Sequence, residues 1–277
     1  MFIKDLKGAS QTTLIMGIIE LTVTSCIHLV RSNLVDYIPQ SIGSGVIIKY
    51  KGRYFICTVS HFSDYPEEHV GIVTGNVKDN RIEIYYLGEF SSMTLISFED
   101  EPDVEDLEYS IQNPERSGTK LDIAFREIAL LDNIIQQQKV FDLDGIGTIT
   151  INDGGKAMLI VDEEYVIDTD QQCSFFGRIR PKFENGMLKY EEQLYWGLPI
   201  MSVGEHFIEM DLGAPISDEK RFKGCSGAPI IDTRGKLVGL VTHGPKDLSK
   251  SSIFGFRFDK VKQWIDLMYF QEPIANM

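Results

Sequence analysis

Gly224-Cys225-Ser226-Gly227-Ala228-Pro229 runs directly into Ile230-Ile231-Asp232-Thr233-Arg234-Gly235-Lys236-Leu237-Val238-Gly239-Leu240-Val241. The stretch predicts a serine on a glycine-flanked turn, a strand, a tight Asp-Thr-Arg-Gly turn and a second apolar strand. Glycines at 224 and 227 let the backbone bend sharply, so a hydroxyl can be exposed while backbone N–H groups converge on one point. That arrangement suits a nucleophile beside an oxyanion hole. It also suits an ordinary loop capping a hairpin. A base and an orienting acid elsewhere in the chain would separate the two.

Two further segments bear on the serine. Gly43-Ser44-Gly45-Val46-Ile47-Ile48 leads through a Lys51-Gly52-Arg53 hairpin signal into Cys57-Thr58-Val59-Ser60-His61. This puts a histidine at the end of an apolar strand, within reach of a cleft. Lys120-Leu121-Asp122-Ile123-Ala124-Phe125 places an aspartate at the entry of another apolar strand, where a partly buried carboxylate can hold an imidazole N–H.

The rest of the chain is mostly short β-branched and aromatic runs separated by turn signals. Arg81 to Leu87, Met93 to Phe98 and Leu121 to Ile128 belong to a first series. Gly147 to Ile151, Ala157 to Val161, Cys173 to Ile179, Leu188 to Ile200 and His206 to Met210 belong to a second. Such punctuation predicts an all-β barrel or sandwich fold, and the two series, split near Gln136, predict two antiparallel β-barrels, 1–136 and 137–277. Val261, Ile265, Leu267 and Met268 form one apolar stripe, predicting a helix at about 260–270. Near the start, Leu14 to Ile19 is an apolar run that Glu20 ends, too short for a secretory or membrane-spanning segment. Ile19, Leu21, Val23, Ser25, Ile27 and Leu29 alternate with other residues, which predicts a buried strand.

Composition narrows the function classes. The net charge of −14 argues against a nucleic-acid surface, which needs a basic footprint. The four cysteines, Cys26, Cys57, Cys173 and Cys225, show no CxxC or metal-ligand spacing and are expected to be free thiols in the cytoplasm. The carboxylate-rich segment from Glu99 to Glu108 lacks the turn glycine of a calcium loop and predicts a solvated surface loop.

Together, Thr58-x-x-His61, Asp122-Ile123-Ala124 and Gly224-x-Ser226-Gly227-x-Pro229 resemble the trypsin-like (chymotrypsin-fold) serine peptidases, over roughly Ile18 to Leu267. The order His61, Asp122, Ser226 is that family's order and differs from those of subtilisins and α/β-hydrolases. The resemblance implies Ser226 as nucleophile, His61 as general base, Asp122 as its orienting acid, and the Gly224 and Ser226 N–H groups as oxyanion hole. It implies that Thr242, standing in for a serine, supports the aspartate. The Thr242-His243-Gly244 backbone would pair with an extended protein or peptide substrate, and no cofactor or metal is implied. Lys220 falls at the expected floor of the specificity pocket. It would favour acidic side chains there, or else stand on an exposed charged loop.

Two departures matter. The N-terminus, Met1-Phe2-Ile3-Lys4, is unlike the family's inserting Ile-Val-Gly-Gly, and Cys225 replaces the aspartate that would bind it. Activation through that ion pair is therefore not available. The chain is closest in style to non-zymogen bacterial members without disulfides, with regulation expected from a partner protein or a conformational switch, as in a stress or antiviral-defence effector. Viral relatives use a cysteine nucleophile, but at the position of Ser226 and not of Cys225. A catalytically silent, peptide-binding member of the fold, or an esterase, are the alternatives.

Overall fold

The computed structural model describes residues 11–78, 81–96, 118–129, 134–143, 145–184, 187–214, 222–244 and 251–270. The segment around Glu99 to Glu108 and Lys220 lie outside the described residues.

A first sheet joins β1 (Cys26–Asn33), β2 (Pro39–Tyr50), β3 (Arg53–Thr58), β4 (Glu68–Lys78), β5 (Arg81–Tyr86), β6 (Ser91–Ile96) and β7 (Gly118–Ile128) in the order β5-β4-β1-β2-β3-β7-β6. Because successive side chains point to opposite faces, the central strands β2, β3 and β7 serve two cores. Ile27, Leu29, Ile47, Ile56 and Ile72 fill the sheet's own interior. Val46, Ile48, Phe55, Cys57, Ile123 and Phe125 face the other way, against Ile231, Leu240 and Phe256 of the C-terminal unit. The β2–β3 hairpin turns at Lys51 (φ 47°) and Gly52 (φ 80°), where two left-handed residues match the twist of the flanking strands.

Between the two units run β8 (Ile135–Gln136), β9 (Lys139–Leu143), β10 (Gly147–Ile151), β11 (Gly154–Gly155) and β12 (Leu159–Ile160). The passage is not abrupt at residue 136. β9 and β10 form a hairpin whose Phe141, Ile149 and Ile151 pack on the C-terminal core, whereas β12 returns to pair in parallel with β2.

The second unit is a closed barrel of β13 (Gln172–Glu184), β14 (Met187–Val203), β15 (Phe207–Asp211), β16 (Pro229–Asp232), β17 (Leu237–His243) and β18 (Ser252–Arg257). The β16–β17 corner is held by Asp232, which accepts N–H bonds from Arg234 (2.9 Å) and Lys236 (2.8 Å). The Phe258–Tyr269 helix is the last described element and buries Phe258, Val261 and Ile265, close to the span expected from the stripe. This is the all-β, two-barrel architecture with a C-terminal helix that the resemblance to trypsin-like peptidases implies.

One element differs from expectation. Gln11–Ser25 is a helix, α1, and the strand begins only at Cys26. Ile15, Ile19 and Val23, four residues apart, face the C-terminal barrel core, while Leu14, Ile18 and Leu21 face the cluster shared by both units. A helix buried on two sides carries apolar residues at both odd and even positions, so part of it mimics strand alternation.

Candidate active site

β3 ends at Thr58, and a single helical turn, α2 (Ser60–Ser63), follows. That turn, not the strand end, carries His61. Phe62 is buried beneath it and the His61 ring points outward, half exposed. β7 brings Asp122 alongside. His61 Nδ1 lies 2.9 and 2.8 Å from the two Asp122 carboxylate oxygens, and the His61 backbone N–H donates to Oδ1 at 3.0 Å. On the far side of the ring, Nε2 lies 3.0 Å from Ser226 Oγ. With Nδ1–H given to Asp122, Nε2 is the acceptor for the serine proton. Burial works against the charge of Asp122. The bonds from the His61 ring and backbone and from the Ser60 hydroxyl outweigh it, holding the carboxyl below its ordinary range.

Two strands from different units grip the turn that bears Ser226. From β2, Ser44 Oγ donates to the Gly224 carbonyl and Ser44 N–H donates to the Ser226 carbonyl, both at 2.8 Å. Thr58 Oγ1 in turn donates to the Ser44 carbonyl at 2.7 Å. Gly227 has φ 86°, and a Cβ there would stand 2.1 Å from the Ser44 oxygen, so both backbone angle and space demand glycine. The flanking Gly43 and Gly45 are needed for room: a Cβ at 43 would meet the Phe62 ring at 2.8 Å, and one at 45 the Cys57 oxygen at 2.9 Å. In the sequence this Gly-Ser-Gly segment reads only as the lead into an apolar strand; in the fold it seats the turn that bears Ser226.

Within the turn the N–H groups of Cys225, Gly227 and Ala228 are committed to the carbonyls of Phe222 (2.8 Å), Val241 (2.7 Å) and Cys225 (2.8 Å). Gly224 forms an isolated antiparallel bridge with Arg178. Cys225 is buried, its Sγ 3.6 Å from the Arg178 carbonyl and pressed on Gly177. It faces the barrel core, and its thiol is not aimed at His61.

Thr242 corrects an expectation. It is buried on β17, and its hydroxyl donates to the Phe254 carbonyl at 3.1 Å, a partner on the neighbouring strand. The hydroxyl that reaches the aspartate belongs to Ser60, 3.3 Å from Asp122 Oδ1. Ser60 sits next to His61 at the start of α2, so the helical turn aims both side chains at one carboxylate. His243 is exposed, stacked on Phe254 (5.2 Å between ring centres) and edge-on to Phe207 (5.9 Å), and Gly244 follows it. A cavity of about 360 Å³ opens beside the site, lined by Ser60, His61, Asp64, Tyr65 and Asp122. A larger one, about 790 Å³, lies between α1, β12 and the C-terminal helix and includes none of the three site residues.

No family model matches the sequence, and no curated protein matches it. Solved structures do match. The serine endoprotease from Yersinia pestis aligns at 12% identity and a TM-score of 0.48, covering 94% of this chain and 67% of that one. The HtrA-type protease AlgW with a tripeptide aligns at 16% identity and 0.46, covering 95% and 65%. The chain spans about two thirds of the length of the solved structures it matches.

Proposed function

We propose that the chain is a serine endopeptidase using Ser226, His61 and Asp122. The observation that carries this reading is the unbroken run of contacts from Ser226 Oγ to His61 Nε2 (3.0 Å) and from His61 Nδ1 to the Asp122 carboxylate (2.8 Å). Ser226 Oγ attacks the scissile carbonyl carbon as its proton passes to His61 Nε2. Asp122 holds the imidazole in the required tautomer and stabilises the imidazolium. His61 then gives that proton to the leaving amine, an acyl ester remains on Ser226, and water attacks it with His61 again as base. The carbonyl oxygen becomes an oxyanion facing the Gly224 and Ser226 N–H groups. Each such donor contributes about 3–4 kcal/mol of transition-state stabilisation.

An extended peptide would lie along the backbone of Thr242 to Gly244 as an added strand. All four cysteines are buried thiols, which supports work in a reducing compartment, the cytoplasm. On this reading its activity is controlled by a regulatory partner or a conformational switch.

A fluorophosphonate probe tests the reading. The wild-type chain is expected to label covalently and to cleave an unfolded protein such as casein, and Ser226→Ala to do neither. Absence of Ser226-dependent labelling overturns the proposal. Labelling with ester turnover but no peptide cleavage makes the chain an esterase.

A further inference from the structure

Behind the nucleophile turn lies a group of charged side chains that this chemistry does not use. Glu192 on β14 stands directly opposite Arg178 on β13. Its carboxylate lies 3.7 Å from Arg178 Nε and 3.5 Å from His28 Nε2, and it pairs with the Lys139 ammonium. The Arg178 guanidinium also covers the Tyr190 ring at 3.9 Å. Side-chain exposure is 8% at His28, 6% at Arg178, 16% at Glu192 and 21% at Lys139. Burying ions is costly even when they are paired, and apolar replacements often stabilise a fold as well or better. The cluster is better explained by what it holds in register.

It holds both jaws of the clamp on the Ser226 turn. Arg178 is one jaw: its carbonyl oxygen lies so close to Gly224 that a Cβ there would come within 2.3 Å, and it also receives the Cys225 thiol at 3.6 Å. Ser44 is the other jaw, and its partner in the β1–β2 register is His28. Glu192 therefore ties the residue that forms one jaw to the residue paired with the other, across the joint between the two units.

We infer that Glu192 is a positioning residue: through Arg178 and His28 it fixes the spacing of Arg178 and Ser44, and with it the direction of the Gly224 and Ser226 N–H groups. This rests on the reading of Ser226 as nucleophile.

The test uses the full chain with Glu192→Gln and with the double variant Arg178→Met/Glu192→Leu, which removes the Arg178 and Glu192 charges together and leaves only the partly exposed Lys139 ammonium without its carboxylate. Both should slow fluorophosphonate labelling of Ser226 at least about tenfold, and lower kcat on a peptide substrate while KM moves less than about twofold. Hydrogen exchange of the 222–230 amides should quicken while that of 253–265 stays at the wild-type rate. A folded variant with wild-type labelling and exchange overturns the inference. So does a double variant that cannot fold, which would make the cluster a purely structural requirement. If the wild-type chain itself does not label at Ser226, the hydrolase reading fails. The exchange measurement then decides alone whether Glu192 holds the turn.

Discussion

At the scale of single residues, the site works by setting ionisation against burial. Asp122 is held charged by two N–H donors of His61, the ring Nδ1–H shared between both oxygens and the backbone N–H, and by the Ser60 hydroxyl. Asp122→Asn keeps the shape but lets the imidazole take the wrong tautomer. Hydrolysis should fall by about four orders of magnitude with little change in KM, read from steady-state kinetics on a peptide substrate. His28 shows the opposite balance. Burial first, and then the nearby Arg178 charge, push its pKa down to about 3 from an ordinary 6.5. Above pH 6.5 the ring is neutral both folded and unfolded. As pH falls toward 3 the unfolded chain takes up a proton that the folded ring refuses. Stability should therefore drop across that window with a slope approaching about 1.4 kcal/mol per pH unit from this group. Urea midpoints between pH 7 and pH 4 should show a shallower decline in His28→Gln, which keeps a donor for Glu192 and does not titrate. His61, Asp122 and Ser226 were legible in the sequence because chemistry restricts such sites to few residue types, in an order a known fold can assemble. Ser60 was not, because a serine beside the histidine gives no sign of which carboxylate it will meet.

At the scale of elements, α1 is the instructive case. Ile18 and Ile19 are adjacent in sequence yet belong to different cores. Thr22 and Thr24 turn their hydroxyls back onto the Ile18 and Glu20 carbonyls, at 2.8 and 2.7 Å, so the fully buried Thr22 hydroxyl keeps a partner inside the helix. Ile19→Ala should cost about 2–5 kcal/mol, visible as a lower denaturant midpoint at an unchanged m-value. The β2–β3 and β16–β17 hairpins were readable because their strands, buried on both faces, are continuous apolar runs bounded by turn residues, and the C-terminal helix because its buried residues recur at helical spacing. Helix α2 was not. A single turn is too short to show a period.

At the scale of the whole molecule, Ser226 belongs to one unit, and Ser44, which bonds to its turn, to the other. Ser44→Ala would strip the Gly224 carbonyl of a buried donor 180 positions away. The expected loss is about 1–3 kcal/mol of stability. Slower probe labelling of Ser226 should accompany it, measured beside a control with the same midpoint and an untouched turn. By itself the sequence determined the all-β class, the serine turn and the three residues that could form a charge-assisted hydrogen-bonded run, since these follow from local backbone demands and side-chain chemistry. Only the tertiary structure decided that Thr242 turns to Phe254 while Ser60 serves Asp122, that Cys225 points into the barrel, and that Ser44 and Arg178 grip the turn from opposite sides. Those outcomes depend on which strands become neighbours across the joint between the units. Pairing over such sequence distances leaves no local trace in the residues that make it.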